Sequence, residues 1–190
     1  MKQKIFSKNL PTIEENTIVG FLDESSPQTT ANTQRLLSFD KPIIYKNTTK
    51  LRSNTFGFYA LNGTSVIDFK DHSKKEDVCD FLRSIRSANP DHEIVIVLDN
   101  FRSHRAKETI SCAIECDVQL AFLPPYSPDL NPIEFIWKSI KRVVSSSFIK
   151  DVNHMRDLIR TSFMTCSSHM TYAKRWIEYF LKSRNISLKS

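Results

Sequence analysis

The stretch EIVIVLDN, Glu93 to Asn100, decides the fold class of this chain. Its centre is continuously apolar and β-branched, which predicts a strand over Glu93–Asp99 that is covered on both faces. Strands of this kind lie in the middle of parallel sheets with helices on either side. The stretch therefore predicts an α/β fold, and the remaining elements are assigned outward from it.

Upstream of this strand, the sequence indicates an amphipathic helix over residues 73–89. Ser73 is the predicted N-cap, and Glu76 three residues later fits a capping box. Pro90 ends the helix, because proline cannot continue one. The apolar face carries four side chains, those of Val78, Phe81, Leu82 and Ile85.

Further upstream, the stretch TFGFYALNGTSVIDF, residues 55–69, predicts an antiparallel hairpin. The pair Asn62-Gly63 is the preferred sequence for a tight, two-residue primed turn. A buried strand over Thr17–Asp23 precedes the hairpin, and Leu36–Phe39 has the pattern of a short strand. These segments predict antiparallel pairing at one side of the sheet.

Downstream of the central strand, the sequence again alternates between helix and strand. Ala106–Cys116 predicts a helix, Val118–Leu123 a buried strand and Pro132–Val144 a second helix. Met155–Phe163 and Tyr172–Leu181 are amphipathic and predict helices beyond them. The order of elements predicts a mixed five-stranded sheet, antiparallel at one side and parallel in the middle, flanked by helices.

Charge is unevenly distributed along the chain. Residues 1–134 contain 16 basic and 18 acidic residues, whereas residues 135–190 contain 11 basic and 3 acidic ones. A segregated basic segment indicates either a polyanionic partner or merely a soluble basic tail. We divide the chain into an N-terminal extension (1–16), a main domain (17–146) and a basic helical C-terminal extension (147–190).

Composition excludes several functional classes. No apolar run approaches the roughly 18 residues that cross a bilayer, and the N-terminus lacks the apolar segment of a secretory signal. The four cysteines are not spaced as zinc ligands. Three glycines in the whole chain form no phosphate-binding glycine-rich loop. We expect a cytoplasmic, nucleoid-associated protein with reduced thiols and no membrane partner.

Three acidic residues stand where predicted strands end or a helix begins. Asp23 ends the first predicted strand, Asp99 ends the central strand, and Glu134 begins the helix after the last strand. Ligands of open α/β sheets bind beyond the carboxyl ends of parallel strands, so we expect these carboxylates to converge within a few ångströms. Converging carboxylates repel one another unless a cation lies among them, and Mg²⁺ or Mn²⁺ suits such oxygen ligands.

Each of these acids also has a purely structural interpretation. Asp23 can cap a turn, and Asp99 can form an Asx turn. Glu134 fits a helix start with Asn131 as N-cap and Pro132 at the first helical position, and it can pair with Lys138. The proline-rich stretch LPPYSPDLNPIEFIW, residues 123–137, is then either a stiff loop or a device that holds Glu134 in place.

Two longer stretches together carry a family resemblance. LDNFRSHRA, residues 98–106, and LAFLPPYSPDLNPIEFIWKSIKR, residues 120–142, resemble the catalytic domain of DDE transposases. Within that family, these stretches resemble the bacterial and archaeal insertion-sequence relatives of mariner-type elements. The resemblance extends over residues 17–144 and is most specific in its last third.

The acids of this family correspond to residues of this chain one by one. The first aspartate stands in a DE pair, here Asp23-Glu24, and the second in a DN pair followed by a histidine, here Asp99 and His104. The last acid of the family pattern corresponds to Glu134. Between Asp99 and Glu134 lie 34 residues, a spacing typical of this branch.

The resemblance implies an RNase H-like fold and metal-dependent DNA cleavage and strand transfer by phosphoryl transfer. It implies that Asp23, Asp99 and Glu134 are catalytic and hold two divalent ions, Mg²⁺ or Mn²⁺. The implied partners are double-stranded DNA, as transposon ends and target, and a second copy of the chain in a homodimer.

Basic residues near the acids are candidate nucleic-acid contacts. They are His104 and Arg105 after the central strand, and Lys138, Lys141 and Arg142 on the polar side of the Glu134 helix. The alternatives are a solvated ring at a helix start for His104 and a solvated helix face for the other three. We expect Tyr126 to pack the proline-rich loop rather than to stack on a base.

One feature departs from the family pattern. Relatives carry a helical DNA-binding region of about a hundred residues before the first aspartate, whereas 22 residues precede Asp23 here. The chain is therefore expected to be a catalytic domain without that region. Two alternatives remain: a non-catalytic, transposon-derived DNA-binding remnant, and an RNase H-like nuclease that acts on another nucleic acid.

Overall fold

The computed structural model describes residues 16–30 and 49–181, together with residues 6, 10, 11, 13 and 14. The predicted strand at Leu36–Phe39 lies outside the described residues. The strands are β1 (Ile18–Ser25), β2 (Thr55–Ala60), β3 (Val66–Phe69), β4 (Ile94–Leu98) and β5 (Val118–Phe122). The helices are α1 (Lys75–Ala88), α2 (Lys107–Glu115), α3 (Ile133–Ser146), α4 (Val152–Ser167) and α5 (Lys174–Phe180). Short 3₁₀ turns at Pro128–Leu130 and Met170–Ala173 precede α3 and α5.

The strands form one mixed sheet in the order β3-β2-β1-β4-β5. β1 pairs antiparallel with β2, and β2 pairs antiparallel with β3. β1 pairs parallel with β4, and β4 pairs parallel with β5. The predicted mixed five-stranded sheet, antiparallel at one side and parallel in the middle, is confirmed.

Both faces of the sheet are covered, as the apolar sequence of β4 predicted. All five residues of β4 are buried. Because side chains alternate along a strand, Val95 and Val97 join the core formed with α3, α4 and α5. Ile94, Ile96 and Leu98 face the opposite way, into the core formed with α1 and α2. None of the described helices is long and apolar enough to cross a membrane.

The elements after residue 147 pack into the same core as α3. α4 contributes Met155, Ile159 and Phe163, and α5 contributes Trp176 and Phe180, all of them buried. The apolar stripes that predicted these helices therefore cover part of one face of the sheet. Among the described basic residues of this segment, Lys150, Arg160, Lys174 and Arg175 are exposed and Arg156 is half-buried.

The connection between β2 and β3 differs from the predicted tight turn. Residues 61–65 separate the two strands, and none of the described glycines has a positive φ, which a primed turn at Asn62-Gly63 requires. Instead, the Asn62 amide donates to Thr17 O (3.0 Å) and its Oδ1 accepts from Val19 N (3.1 Å). The Asn62 side chain thus binds β1, and the connection is five residues long and not a two-residue turn.

Two predicted helix caps are also wrong. Lys74, not Ser73, is the N-cap of α1, and its backbone N–H donates to Asp77 rather than to Glu76. The Ser73 hydroxyl bonds Asn54 instead. At α3, the Asn131 Oδ1 is buried and has no hydrogen-bond partner among the described residues, and Pro132 occupies the cap position. In both cases a tertiary position overrode a local preference.

Gly57 in β2 sets how closely α3 approaches the sheet. Its Cα pairs with that of Asp23 in β1, and a Cβ at this position would lie 2.7 Å from Trp137 Cζ2 and 2.9 Å from Phe163 Cε2. Both rings are fully buried. Trp137 lies three residues after Glu134, so its contact with Gly57 also fixes the height of Glu134 above the strands.

Replacing Gly57 by alanine is expected to lower the free energy of unfolding by about 1–3 kcal/mol, because the added methyl overpacks the core. Denaturant unfolding measures the change. The matched control is the same substitution in a Trp137→Phe background, where the indole atoms that clash are absent. The cost should be smaller there; an equal cost in both backgrounds would contradict the assigned contact.

Candidate active site

Asp23 lies in the part of β1 that extends beyond its parallel pairing with β4. The parallel pairing of β1 with β4 ends at Phe21 and Val97, whereas β1 continues to Ser25 by pairing with β2. The prediction that Asp23 ends the strand is therefore wrong by two residues. Its location at the carboxyl edge of the parallel strands nevertheless holds, and Asp99 follows the last residue of β4 at the same edge.

Strand alternation separates the two acids of the Asp23-Glu24 pair. Phe21 belongs to the core under α3, whereas Leu22 belongs to the core under α1 and α2. Asp23 therefore points to the face that α3 covers, and Glu24 points to the other face. The two neighbouring carboxylates therefore lie on opposite faces of the sheet.

Asp23, Asp99 and Glu134 line one cavity of about 420 Å³, here called the acidic cavity. Glu134 reaches it from the first turn of α3, and Pro124, Pro125 and further residues of the proline-rich loop also line it. In the described part of the chain, however, no three His, Cys, Asp or Glu side chains are arranged closely enough to hold a metal ion. The three acids nevertheless share one cavity at this edge of the sheet, and their joint role as metal ligands stays a prediction.

The surroundings of Asp23 disfavour its charge. Burial raises the pKa of the Asp23 carboxyl well above its usual range, and the charges of Glu134, Glu24 and Asp99 raise it further. Such a carboxyl is costly to ionise in the absence of a cation. The carboxylate oxygens around the cavity therefore suit a hard divalent cation, which would relieve this repulsion.

His104 bridges Glu24 and Asp99, two acids whose charges raise the pKa of Asp23. Its Nδ1 lies 2.8 Å from Asp99 Oδ1, and its Nε2 lies 3.1 Å from the Glu24 carboxylate. The ring is fully buried, and the Glu24 side chain is 11% exposed. The bridge ties β1 to the loop after β4, across 80 positions of the sequence.

The bridge makes His104 a cation. Burial alone disfavours the charged ring, but hydrogen bonds to Asp99 and Glu24 and the charges of both outweigh burial and raise the pKa of His104 to about 10. Burial likewise disfavours the Asp99 carboxylate, but His104 and the Phe101 N–H hold its pKa below its usual value. Asp99 is thus kept ionised by a fixed positive partner.

The predicted contact of His104 with nucleic acid is wrong. A fully buried ring whose two nitrogens are both hydrogen-bonded cannot reach a phosphate. The alternative of a solvated ring is wrong for the same reason. Sequence reasoning also missed Glu24; the signal available was an acidic residue on the apolar face of β1, where a carboxylate needs a partner.

Arg105 lies on the outer side of the same loop. It is exposed, its guanidinium lies 4.8 Å from the ring centroid of Phe122, and it donates to Asn100 Oδ1. Asn100 in turn donates to Leu123 O and lines the acidic cavity. Arg105 therefore supports the rim of the cavity, and its contact with nucleic acid remains a prediction.

The proline-rich loop presents Tyr126 to solvent. The Tyr126 side chain is 94% exposed, so the prediction that it packs the loop is wrong. Its φ of 54° is in the left-handed region, which is unfavourable for a residue with a Cβ. The loop thus carries an exposed aromatic ring at the rim of the cavity that the three acids line.

The basic residues of α3 line a second cavity, of about 400 Å³, which adjoins the first. Lys138, Lys141 and Arg142 line it, and Glu134 and Pro128 are shared by the two cavities. The apolar residues opposite them are buried as predicted: Ile133, Ile136, Trp137, Ile140 and Val144. Among the ion pairs of the described residues, none joins Glu134 to Lys138.

A family model matches most of the chain. It is described as DDE superfamily endonuclease and matches residues 18–156, a segment that contains all three acids of the cavity. No curated protein sequence matches the chain.

Solved structures of the Mos1 mariner transposase have a similar fold. The Mos1 strand transfer complex has a TM-score of 0.64 and 12% identity, covering 99% of this chain and 62% of that one. A Mos1 catalytic domain with raltegravir and Mg has a TM-score of 0.62 and 13% identity, covering 99% and 96%. A further structure of that catalytic domain has a TM-score of 0.57 and 14% identity, covering 92% and 85%. The likeness confirms the RNase H-like fold, and this chain spans about 62% of the length of the Mos1 chain in the complex.

Proposed function

The chain belongs to the DDE superfamily of endonucleases, and on that premise we propose that it is a transposase catalytic domain that cleaves and joins DNA strands. One observation carries the proposal: Asp23, Asp99 and Glu134 line a single cavity at the carboxyl edge of the parallel strands. Phosphoryl transfer needs positioning and charge neutralisation more than covalent help from the protein. A cavity lined by three acids suits that requirement when cations are bound.

Asp23, Asp99 and Glu134 are the residues that would hold divalent ions. Two ions, Mg²⁺ or Mn²⁺, would supply a nucleophile at neutral pH and stabilise the leaving oxygen. The donor set supports this assignment, since burial and the charges of neighbouring carboxylates raise the pKa of Asp23, and a bound cation would offset that cost. His104 does not line the acidic cavity, but it neutralises Asp99 and Glu24 through its two ring nitrogens.

The protein positions Asp99 through one oxygen of its carboxylate. Within the described residues, both the His104 ring and the Phe101 N–H bond Oδ1, at 2.8 and 2.9 Å. Oδ2 is therefore the oxygen left for a ligand, and the carboxylate cannot rotate without losing two hydrogen bonds. This fixed orientation supports the assignment of Asp99 as a residue that would hold a divalent ion.

The DNA contacts are proposed from the surface next to the cavity. Lys138, Lys141 and Arg142 line the adjoining cavity on α3 and would bind the phosphate backbone. The exposed Arg105, which donates to the cavity residue Asn100, would add a further contact. Tyr126, exposed at the rim, would stack on a base. A homodimer in the cytoplasm, acting on transposon ends and target DNA, follows from the family resemblance alone.

Metal removal is the direct test. The purified chain is expected to convert supercoiled plasmid to nicked circles with Mg²⁺ or Mn²⁺, and EDTA should abolish the reaction because the acids then lack their cations. Gel electrophoresis of the plasmid forms measures it, and re-addition of Mn²⁺ after EDTA is the control. Nicking that persists in EDTA would refute the proposal.

The runner-up is a non-catalytic DNA-binding remnant, favoured by the basic excess of residues 135–190. It predicts DNA binding that weakens steeply with salt, without nicking at any metal concentration. An RNase H-like nuclease for another nucleic acid is distinguished by presenting RNA and RNA–DNA hybrids in the same metal-dependent assay. Preference for either over plasmid DNA would favour that alternative.

A further inference from the structure

A third cavity, here called the Arg52 cavity, is polar and lies at the β2–β3 side of the sheet. Its volume is about 530 Å³, and Arg52, Ser53, Asn54, Lys70, Ser73 and Arg156 contribute to its lining. None of the sequence motifs points to it. It lies on the opposite side of the acidic cavity from the basic residues of α3.

The Arg52 cavity is continuous with the acidic cavity. A smaller cavity of about 270 Å³ lies between them. It shares Asp23 and Asp99 with the acidic cavity, and it shares Arg52 and Asn54 with the Arg52 cavity. A groove therefore runs from the α3 cations past the acids to Arg52. Its two ends are basic, and its middle is acidic.

Two arginines of the Arg52 cavity form no ion pair among the described residues, although Asp71 also lines the cavity. Arg52 donates to Ser26 Oγ (3.2 Å) and Arg156 to Ser53 Oγ (3.4 Å). Lys70 differs, because Asp68 and Asp80 neutralise it. The cavity thus offers two guanidinium groups, which bind phosphate oxygens well because their donors form a planar fork.

The walls of the cavity are already in place without a ligand. The Asn54 amide donates to His72 O (2.6 Å) and to Ser73 Oγ (3.1 Å), and Asn54 Oδ1 accepts from Ser26 Oγ (3.2 Å). The Arg156 guanidinium is stacked 5.4 Å from the Phe69 ring centroid. A donor that is held in place loses less conformational entropy when it binds.

We propose that Arg52 and Arg156 form a phosphodiester-binding subsite that holds the DNA strand beyond the acids, on the side away from Lys138 and Arg142. The subsite deepens the proposed function and rests on it, since it assigns the same DNA a second anchoring point. A strand bound at both basic ends of the groove has its backbone drawn across Asp23, Asp99 and Glu134. The anchors thereby overcome the repulsion between phosphates and the acidic middle of the groove.

The test measures binding separately from cleavage. Fluorescence anisotropy of a fluorescein-labelled DNA duplex in EDTA gives the dissociation constant over a range of salt concentrations. Each of Arg52→Gln and Arg156→Gln should weaken binding and reduce the slope of log K against log salt by about 0.9, the value for one lost phosphate contact. Arg156→Lys, which keeps the charge, should retain most of the slope.

Arg160→Gln is the matched control. Arg160 lies one turn further along α4 and stacks on the same Phe69 ring at 5.2 Å, but it does not line the cavity. Its replacement should leave the salt slope unchanged. If Arg52→Gln and Arg156→Gln behave like this control while the wild-type chain nicks plasmid, the subsite is refuted and the proposed function stands. If their slopes fall while the wild-type chain never nicks, the subsite stands and the proposed function fails.

Discussion

The Asp99→Asn variant is expected to lose about 10³-fold in metal-dependent DNA nicking. The substitution keeps the size of the side chain but removes a charge that the bound cations require, and metal-ion catalysis supplies several kcal/mol of transition-state stabilisation. A loss of about 4 kcal/mol corresponds to about 10³-fold in rate. Glu134→Gln should have an effect of similar size, because Glu134 lines the same cavity and has no other described ionic partner.

The initial rate of plasmid nicking at saturating Mn²⁺ measures these losses. Asp117→Asn is the matched control: it makes the same chemical change in a side chain that is 95% exposed and paired only loosely with Arg86 at 3.9 Å. It should leave the rate unchanged. If Asp99→Asn retained the rate of that control, the assignment of the acidic cavity as the active site would be abandoned.

Stability provides a second readout for the same acids. Asp23→Asn should not destabilise the metal-free chain, because the ionised Asp23 is penalised by burial and by three neighbouring acids. Asp99→Asn should destabilise it, because His104 then loses a charged partner. Both variants should nevertheless be inactive. Loss of activity in both variants, with loss of stability in only one of them, separates a role in metal binding from a role in folding.

The His104→Ala variant is expected to lose about 3 kcal/mol in the free energy of unfolding. Removing one partner of a buried ion pair typically costs about 3–5 kcal/mol, because the remaining charge stays buried without compensation. The lower end applies here, since the Glu24 side chain is 11% exposed and the Asp99 side chain is 52% exposed. Urea unfolding in EDTA measures the loss.

His72→Ala is the control for this prediction. His72 is exposed, so its replacement should change the free energy of unfolding by no more than about 0.5 kcal/mol. A loss no greater for His104→Ala than for His72→Ala would mean that the bridge to Glu24 and Asp99 contributes nothing to stability.

The stability contributed by His104 should also depend on pH. Its pKa is raised from 6.5 to about 10 in the folded chain, so the folded state binds a proton more tightly than the unfolded state. The contribution is therefore complete below about pH 6.5 and is lost as the pH rises through about 10. The difference in free energy of unfolding between wild type and His104→Gln should shrink over that interval. A difference that stays constant would contradict a protonated bridge.

Much of the fold could be predicted because its signals are local. The apolar run of β4, the hydrophobic face of α1 and the alternation of strands with helices follow from periods of two and 3.6 residues, which any sequence displays directly. The three acids were found by the family motif and by their places at strand and helix ends. Those places depend on chain direction in a parallel sheet, which the order of elements already implies.

The wrong predictions share a cause. Asn62, Ser73 and Asn131 all have strong local preferences for turns or caps, yet in the structure Asn62 bonds β1, Ser73 bonds Asn54, and Asn131 makes no cap. A local preference is worth about 1 kcal/mol, which one tertiary hydrogen bond or one buried position can offset. His104 and Tyr126 were likewise assigned from their neighbours in sequence, which do not reveal burial.

The sequence by itself determined the mixed sheet, the helices that cover it and the three acids that meet at one cavity. Only the tertiary structure decided that His104 is a buried bridge between Glu24 and Asp99, that Gly57 admits Trp137 beside Asp23, and that Arg52 and Arg156 extend the groove. The physical reason is separation along the chain. His104 and Glu24 are 80 positions apart, and burial and pairing at that distance depend on how whole elements pack, which no local period encodes.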